Sequence, residues 1–330
     1  MTPQPNKLTL RAPHGYDANV PPRLPLTSQR LVIVTGKGGV GKTTVTAALA
    51  RAAAGAGRRV LAVELARGPL GPLLGVSRLG GNPSRIDARL FAATIEPEAA
   101  LGDFVHGILR FGMLARRLLE STSFQVLAAA APGLPELLVL HRVLGWLEAR
   151  RLRRPTYDLV LVDAPASGHS LPLLAAPRTL GALARIGPVS ELLRRLEQQL
   201  GDPEATLVCV VTTPEELAVR ETVELHRELA GRLGLPLGPP IVNGLPPRRF
   251  GSGDAAALGR LEVACGAHPY LIAARLQISR RRQAKAQVAL LRRALGVAPV
   301  SLPFLFAAAE TPTGVAELAA EIAASAGLAA

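Results

Sequence analysis

Apolar residues along this chain gather in short dense runs, separated by longer stretches with helical spacing. LVIVT (31–35), RVLAVEL (59–65), DLVLVDAP (158–165) and TLVCVVTTP (206–214) are nearly continuous and rich in β-branched residues. That pattern predicts strands buried on both faces. PIVNG (240–244) and residues 298–302 read as two more. The alanine-rich stretch 43–56, and residues 97–153, 171–200, 215–233, 270–295 and 312–327, carry the composition or the three- and four-residue spacing of helices. Strands that alternate with helices predict an α/β fold, a mostly parallel sheet covered by helices on both faces. No segment repeats at a fixed period, so one domain over 29–330, with helical insertions at about 97–153 and 171–200, is expected. Residues 1–28 are rich in proline and polar side chains and read as a flexible lead-in.

Composition narrows the class. Of 330 residues, 48% are hydrophobic and 19% charged, which excludes a disordered or collagen-like chain. The longest charge-free stretches, such as 294–309, fall short of the ~18 apolar residues of a membrane span. The first 20 residues lack the apolar core of a signal peptide, so a cytoplasmic protein, at most peripheral to a membrane, is expected. Two cysteines, Cys209 and Cys265, are too few for a disulfide framework or a four-thiolate metal site. The net charge of +13 comes almost entirely from arginine, which reads as solvated basic faces or as a surface for phosphates or membranes. Only Lys7, Lys37, Lys42 and Lys285 are lysines, and two of these four share one glycine-rich loop. In a chain that otherwise uses arginine, those two positions read as chemically required.

That loop, Gly36-Lys37-Gly38-Gly39-Val40-Gly41-Lys42-Thr43, fits G-x-x-x-x-G-K-[ST] between a strand and a helix. Its glycines let backbone N–H groups converge on an anion at a helix N-terminus. Lys42 would reach the β- and γ-phosphates of a nucleotide, and the Thr43 hydroxyl would hold Mg²⁺. Asp163, at the end of a buried strand, occupies the position from which a carboxylate can hold the same metal through water.

With its second lysine, GKGGVGKTT (36–44) resembles the deviant phosphate loop of the dimeric P-loop ATPases. These include nitrogenase iron protein, the partition and positioning ATPases, and the ArsA-type anion-transporting ATPases. The resemblance implies that Lys37 reaches the nucleotide of a partner subunit, hence a dimer. DAPASGHSLPLL followed by Pro177 (163–177) is similar to the switch segment of the ArsA-type branch, which includes arsenite-pump and tail-anchored-protein-targeting ATPases. Gly168 and His169 take switch positions by that match. Weaker likenesses lie in APGLPE (131–136), in Thr213–Leu217 with Glu221-Thr222, in the arginine-rich stretch 279–293 and in LPFL with TPTGV. Asn243 matches the family's adenine-recognising asparagine. The likeness implies ATP bound by residues 36–44 and Asn243, with Mg²⁺ on Thr43 and Asp163. It also implies a homodimer, or a heterodimer with a related subunit, and a protein client or membrane partner. A nucleic-acid partner is disfavoured.

Three departures bear on function. Where the family carries D-P-A-H, whose aspartate positions the attacking water, this chain reads Glu64-Leu65-Ala66-Arg67. Glu64 is either a substitute base or a carboxylate paired with arginine. The C-x-x-C pair that binds zinc in tail-anchor-targeting relatives is absent, so structural zinc is not expected. Cys209 reads as a core thiol, and a Cys265–His268 metal pair stays open as an alternative. Of the methionines that line a client groove in such relatives this chain offers one, Met113, in the helical insertion, and 101–119 (LGDFVHGILRFGMLARRLL) reads as a groove lining or simply as core. Three readings remain: a hydrolysing dimeric ATPase, a weakly hydrolysing binding module or degenerate heterodimer subunit, and a partition- or positioning-type ATPase.

Overall fold

The structure, a computed structural model, describes residues 24, 26, 28–96, 133–182, 188–251, 253–265, 268–306 and 310–326. Most of the expected lead-in, residues 97–132 of the expected insertion, and the PGLPE likeness up to Pro132 lie outside them. Leu24 and Leu26, at the end of the stretch expected to be flexible, are buried in the core. Arg58 Nη1 donates to the Leu26 carbonyl at 2.5 Å, so the packed chain begins before residue 29.

The main sheet is built from β1 (Leu31–Gly36), β2 (Val60–Leu65), β3 (Ser84–Arg85), β4 (Leu90–Ile95), β7 (Leu159–Ala166), β8 (Thr206–Thr212), β9 (Ile241–Leu245) and β10 (Val300–Pro303). A separate hairpin pairs β5 (Arg150–Arg151) with β6 (Arg154–Pro155). The main sheet runs in the order β10-β9-β8-β1-β7-β2-β4-β3. Every pairing in it is parallel except that of β3 with β4. The α/β architecture read from the chain is the one observed. β1 lies between β7 and β8 although β2 follows it in sequence. The connections therefore diverge beside the end of β1, where open α/β sheets bind ligands.

Parity along the strands sorts side chains into two cores. Val32 and Val34 of β1 and Leu159 and Leu161 of β7 face a core shared with α1 (Lys42–Gly55) and α9 (Pro312–Ala326). Leu31, Ile33, Val160 and Val162 face the opposite core, under α3 (Leu134–Glu148), α4 (Ser167–Gly181) and α5 (Pro188–Gly201). This two-sided burial is why the strands read as unbroken apolar runs. The short α2 (Leu70–Leu73) packs against α1 and α9. A third cluster joins Val219 and Val223 of α6 (Glu216–Arg227) to Val242, Leu291 and Leu295. The last two belong to α8 (Pro269–Leu295), which follows α7 (Asp254–Cys265). Proline in the first turn of α8 and Gly296 at φ 68° after its end are the residues those positions favour.

The reading of the chain did not anticipate β4 or α7. β4, LFAATI, ends in β-branched residues but sits after a polar, proline-containing stretch. α7, DAAALGRLEVAC, leaves Leu261 and Val263 exposed and has no apolar stripe to detect. The expected helix 215–233 is α6 followed by a π-helical turn, Glu228–Arg232.

α6 also carries a largely buried titratable group. His226 Nδ1 is buried and, among the described residues, meets no hydrogen-bond partner. Burial pulls this imidazole from its ordinary 6.5 down to about 4. A depressed folded-state pKa means the unfolded chain takes up the proton first. The stability contributed by the neutral ring is complete above pH 6.5 and is lost as pH falls through about 4. The loss should reach up to about 3 kcal/mol. Urea unfolding of wild type and His226→Leu between pH 7.5 and 4 is expected to show a smaller acid-side fall in the variant. Parallel curves would assign the acid sensitivity to other groups.

Candidate functional site

The phosphate loop leaves the C-terminal end of β1, and its shape depends on glycine at two positions. Gly36 adopts φ +150°, and a Cβ there would lie 2.2 Å from the Val211 carbonyl oxygen on β8. Gly41, before α1, adopts φ +83°, and its Cβ would lie 2.3 Å from Asn243 Nδ2. Both positions combine a backbone angle that side chains disfavour with a close neighbour. A Cβ on Gly38 or Gly39 would meet nothing within 4 Å, and Gly39, Val40, Gly41 and Thr44 border a concave cleft. That concavity at a helix N-terminus fits a phosphate group.

The two loop lysines lie on different partners. Lys42 Nζ donates to the Lys37 carbonyl at 2.9 Å, folding back over the loop. Burial lowers its pKa, and the charge of Asp163 acts in the opposite direction. Lys37 Nζ pairs with Glu221 Oε1 of α6 at 2.7 Å, and both side chains are about one-third exposed. The pair is therefore solvent-screened and weak enough to exchange.

Asp163 is the centre of the site. β1 and β7 pair in register with Val34 opposite Asp163. Thr43 Oγ1 donates to Asp163 Oδ2 at 2.6 Å, and Thr46 Oγ1, one turn further along α1, lies 3.3 Å from Oδ1. Burial pushes the Asp163 carboxyl up to about 6. Hydrogen bonds from Thr43 and Thr46 and the charge of Lys42 restrain that rise, while Glu64 adds to it. The grouping of Lys42, Thr43 and Asp163 anticipated from the loop motif and the strand end is thus assembled in space. A hydroxyl and a carboxylate side by side can together hold a divalent cation, directly or through water.

Glu64 stands opposite Asp163 in the β2–β7 register. It is buried, and both of its oxygens are engaged. Thr94 Oγ1 donates to Oε1 at 2.7 Å, and the Leu70 N–H donates to Oε2 at 3.1 Å. The expected alternative of an arginine partner is not the arrangement seen, because Arg67 pairs with Glu96 instead. Next to this carboxylate the chain turns through Ala66 at φ 65°, a left-handed conformation in a residue with a side chain.

The remaining expected residues spread around this centre. Asn243 Nδ2 donates to the Val40 carbonyl at 3.0 Å, and Asn243 lines a cleft of about 950 Å³ that runs from the loop along α8. Gly39, Val40, Gly41 and Thr44 border the same cleft, and Phe304 and Phe306 form an aromatic edge. Gly168 and His169 are exposed in the first turn of α4. Cys209 is fully buried, and burial pushes its thiol up to about 12, which leaves it a neutral core group. The side chain of Cys265 lies outside the described residues. Sequence reasoning missed Thr46, Thr94 and the Lys37–Glu221 pair. Thr46 was detectable, since it lies three residues after Thr43 and shares its helix face. Thr94 lies on another element with no local spacing to mark it, and Glu221, marked only by the Glu221-Thr222 likeness, gave no sign of its pairing with Lys37.

The Gly41–Asn243 contact makes a coupled prediction. Gly41→Ala should destabilise the protein by about 1–3 kcal/mol through backbone strain and the clash. Adding Asn243→Ala should return about 1 kcal/mol of that loss, because it removes the clash and leaves the strain. Chemical denaturation of the two single variants and the double variant measures the coupling. Strict additivity would show that the amide does not limit the loop.

Similarity to known proteins agrees with this geometry. The family profile described as anion-transporting ATPase matches residues 29–191. ATPase BagA of Mycobacterium tuberculosis (strain H37Rv) is 32% identical over 247 residues, covering 72% of this chain and 72% of the relative. ATPase GET3B of Arabidopsis thaliana is 27% identical over 285 residues, covering 67% of this chain and 65% of that protein. The arsenical pump-driving ATPase of Escherichia coli is 27% identical over 263 residues, covering 72% of this chain and 42% of the pump subunit. With the phosphate loop closed on Asp163 and relatives of this coverage, the chain belongs to the ArsA-type family of anion-transporting ATPases.

Proposed function

We propose that this ATPase-family chain binds Mg·ATP at residues 36–44, hydrolyses it slowly, and passes the nucleotide state to a client or partner through α4 and the neighbouring helices. The observation that carries this reading is the Thr43–Asp163 hydrogen bond beside Lys42, at the rim of an open backbone cradle. Mg²⁺, when bound, would neutralise phosphate charge. Thr43 and Asp163 would hold it, the loop N–H groups would seat the phosphates, and Lys42 would turn from the Lys37 carbonyl to the β- and γ-phosphate oxygens. The base would enter the cleft beside Asn243, with Phe304 and Phe306 as an aromatic wall. Lys37 would exchange Glu221 for the nucleotide of a second subunit, giving a homodimer or a dimer with a related ATPase. A cytoplasmic location fits this role. Among the described residues no helix is long and apolar enough to cross a membrane.

Lys42→Ala is expected to abolish Mg·ATP binding in calorimetric titration, while Lys37→Ala should still bind but lose ATP-dependent dimer closure in sedimentation. Unchanged affinity in Lys42→Ala would overturn the assignment. Asp163 adds a pH signature. Its carboxyl is protonated below about 6, so Mg-dependent ATP affinity should fall roughly tenfold per pH unit below that point. Asp163→Asn should weaken binding and flatten the profile.

A second reading, a nucleotide-dependent binding module with little turnover, is favoured by one observation: both oxygens of Glu64 are already occupied. We place Glu64 as a brace for the β2–α2 turn, without a base in the family aspartate's place, which accords with slow turnover. Glu64→Gln should then keep single-turnover hydrolysis within about threefold of wild type. A fall of ~10²–10⁴ would make it the general base instead. Wild-type turnover at background would select the module.

A further inference from the structure

The fourth lysine of the chain lies outside the nucleotide site. Lys285 is on α8, where it lines a second concavity of about 270 Å³ with Arg281, Arg248 and Arg249. The pocket lies between α8 and the segment that connects β9 to α7. Among the described residues, no carboxylate lines it. Asp254, at the start of α7, accepts the Gly251 N–H at 2.7 Å and is not part of the lining.

Electrostatics within α8 makes this concentration of charge costly. The helix carries Arg275, Arg280, Arg281, Arg282, Lys285, Arg292 and Arg293 and no acidic residue. Arg281 and Lys285 are four residues apart on one face, where like charges disfavour the helix. Two of the guanidiniums are nevertheless fixed. Arg281 Nη1 donates to the Pro246 carbonyl, and Arg249 stacks 4.9 Å from the Phe306 ring centroid. Arg248 and Lys285 are exposed at the rim. An oriented arginine fork with a compact ammonium beside it is the donor set that phosphate oxygens accept from. The volume lies below the ~300–1,000 Å³ of drug-sized sites, which suits a single phosphoryl group and its waters.

We propose that this pocket is a second anion site, separate from the phosphate loop, that binds a phosphoryl-bearing ligand through Arg248, Arg281 and Lys285. The site adjoins the nucleotide cleft: Gln277 and Pro247 line both, and successive residues Arg280 and Arg281 serve the cleft and the pocket respectively. The proposal does not depend on ATP hydrolysis, and it stands or falls separately from the phosphate-loop assignment.

The test uses the full chain carrying Lys42→Ala, which removes the loop lysine as a competing phosphate ligand. Pyrophosphate is titrated calorimetrically, and binding to vesicles with and without phosphatidylglycerol is followed by flotation. Arg248→Ala/Lys285→Ala is then added. Arg281 is left intact because it supports the Pro246 turn, and circular dichroism and thermal melts check folding. Pyrophosphate binding that weakens at least about tenfold in the added double variant supports a soluble phosphoryl ligand. Flotation on phosphatidylglycerol that the double variant loses and pyrophosphate displaces supports a lipid headgroup as the source. Binding that the double variant leaves unchanged in both arms, or no binding in either, overturns the proposal. In the otherwise wild-type chain, Arg248→Ala/Lys285→Ala should leave Mg·ATP affinity within about twofold.

Discussion

The hydrogen bond between Thr43 and Asp163 joins two segments 120 positions apart in sequence, and it requires β1 and β7 to be paired in one register. Side chains alternate faces along a strand, so a one-residue slip would turn Asp163 away from α1. The register holds because Leu159 and Leu161 fill the core under α1 while Val160 and Val162 fill the opposite one. Asp163 inherits the α1 side by parity. The same parity places Glu64 after Val60 and Ala62, and Thr94 after Leu90 and Ala92, on that side too. A polar row of Thr94, Glu64 and Asp163 therefore crosses three adjacent strands at one height, facing the N-terminal turn of α1.

Crowding carboxylates at that height has a cost, and the surroundings show how it is met. Each oxygen of Glu64 has a donor, and Asp163 has two hydroxyls and a nearby ammonium. Hydrogen bonds to a charged group contribute about 1.5–3 kcal/mol apiece, enough to keep such a row from disrupting the sheet. The compensation at Asp163 is incomplete, and its elevated pKa records the remainder. A cation arriving there would be stabilised by that residual need. The adjoining α4 makes fewer internal backbone hydrogen bonds than its length allows. It begins directly after β7 and contains Pro172 and Pro177, each lacking the N–H that an interior helix position would use. Leu173, Leu174 and Ala176 hold its buried side against α3 and α5, while Gly168 and His169 stay exposed.

What could be read from the chain follows from how local each constraint is. The loop's glycines and lysines are contiguous in sequence, so residues 36–44 were legible as one local unit between β1 and α1. Strands buried on both faces announce themselves as apolar runs, and β1, β2, β7 and β8 were found within about a residue or two. β4 was missed because its polar flank masks it, and α7 because nothing covers its exposed apolar residues. Partners contributed by distant elements left no trace in spacing. The Lys37–Glu221 pair spans 184 positions and the Glu64–Thr94 bond spans 30; helix packing brings the first together and sheet register the second. Glu64 illustrates the limit. The sequence marks a carboxylate near the site, whereas its role depends on which donors reach its two oxygens.

The distribution of lysine and arginine carries a further argument. Arginine supplies nearly all the positive charge, and its planar fork suits carbonyls, carboxylates and aromatic faces, as Arg58, Arg67 and Arg249 show. The two loop lysines instead present compact charges, each held by a single contact. Lys42 folds onto a carbonyl of its own loop, and Lys37 rests on a solvent-screened carboxylate, so neither is locked by a bidentate contact. Arginine at position 42 would need its bulk accommodated between the Lys37 carbonyl and Asp163, and its fork would bind the carboxylate in two-point fashion. That would compete with any cation brought to Thr43 and Asp163. The loop thus sets two compact, loosely held charges beside an incompletely satisfied carboxylate, a setting in which lysine and arginine are not interchangeable.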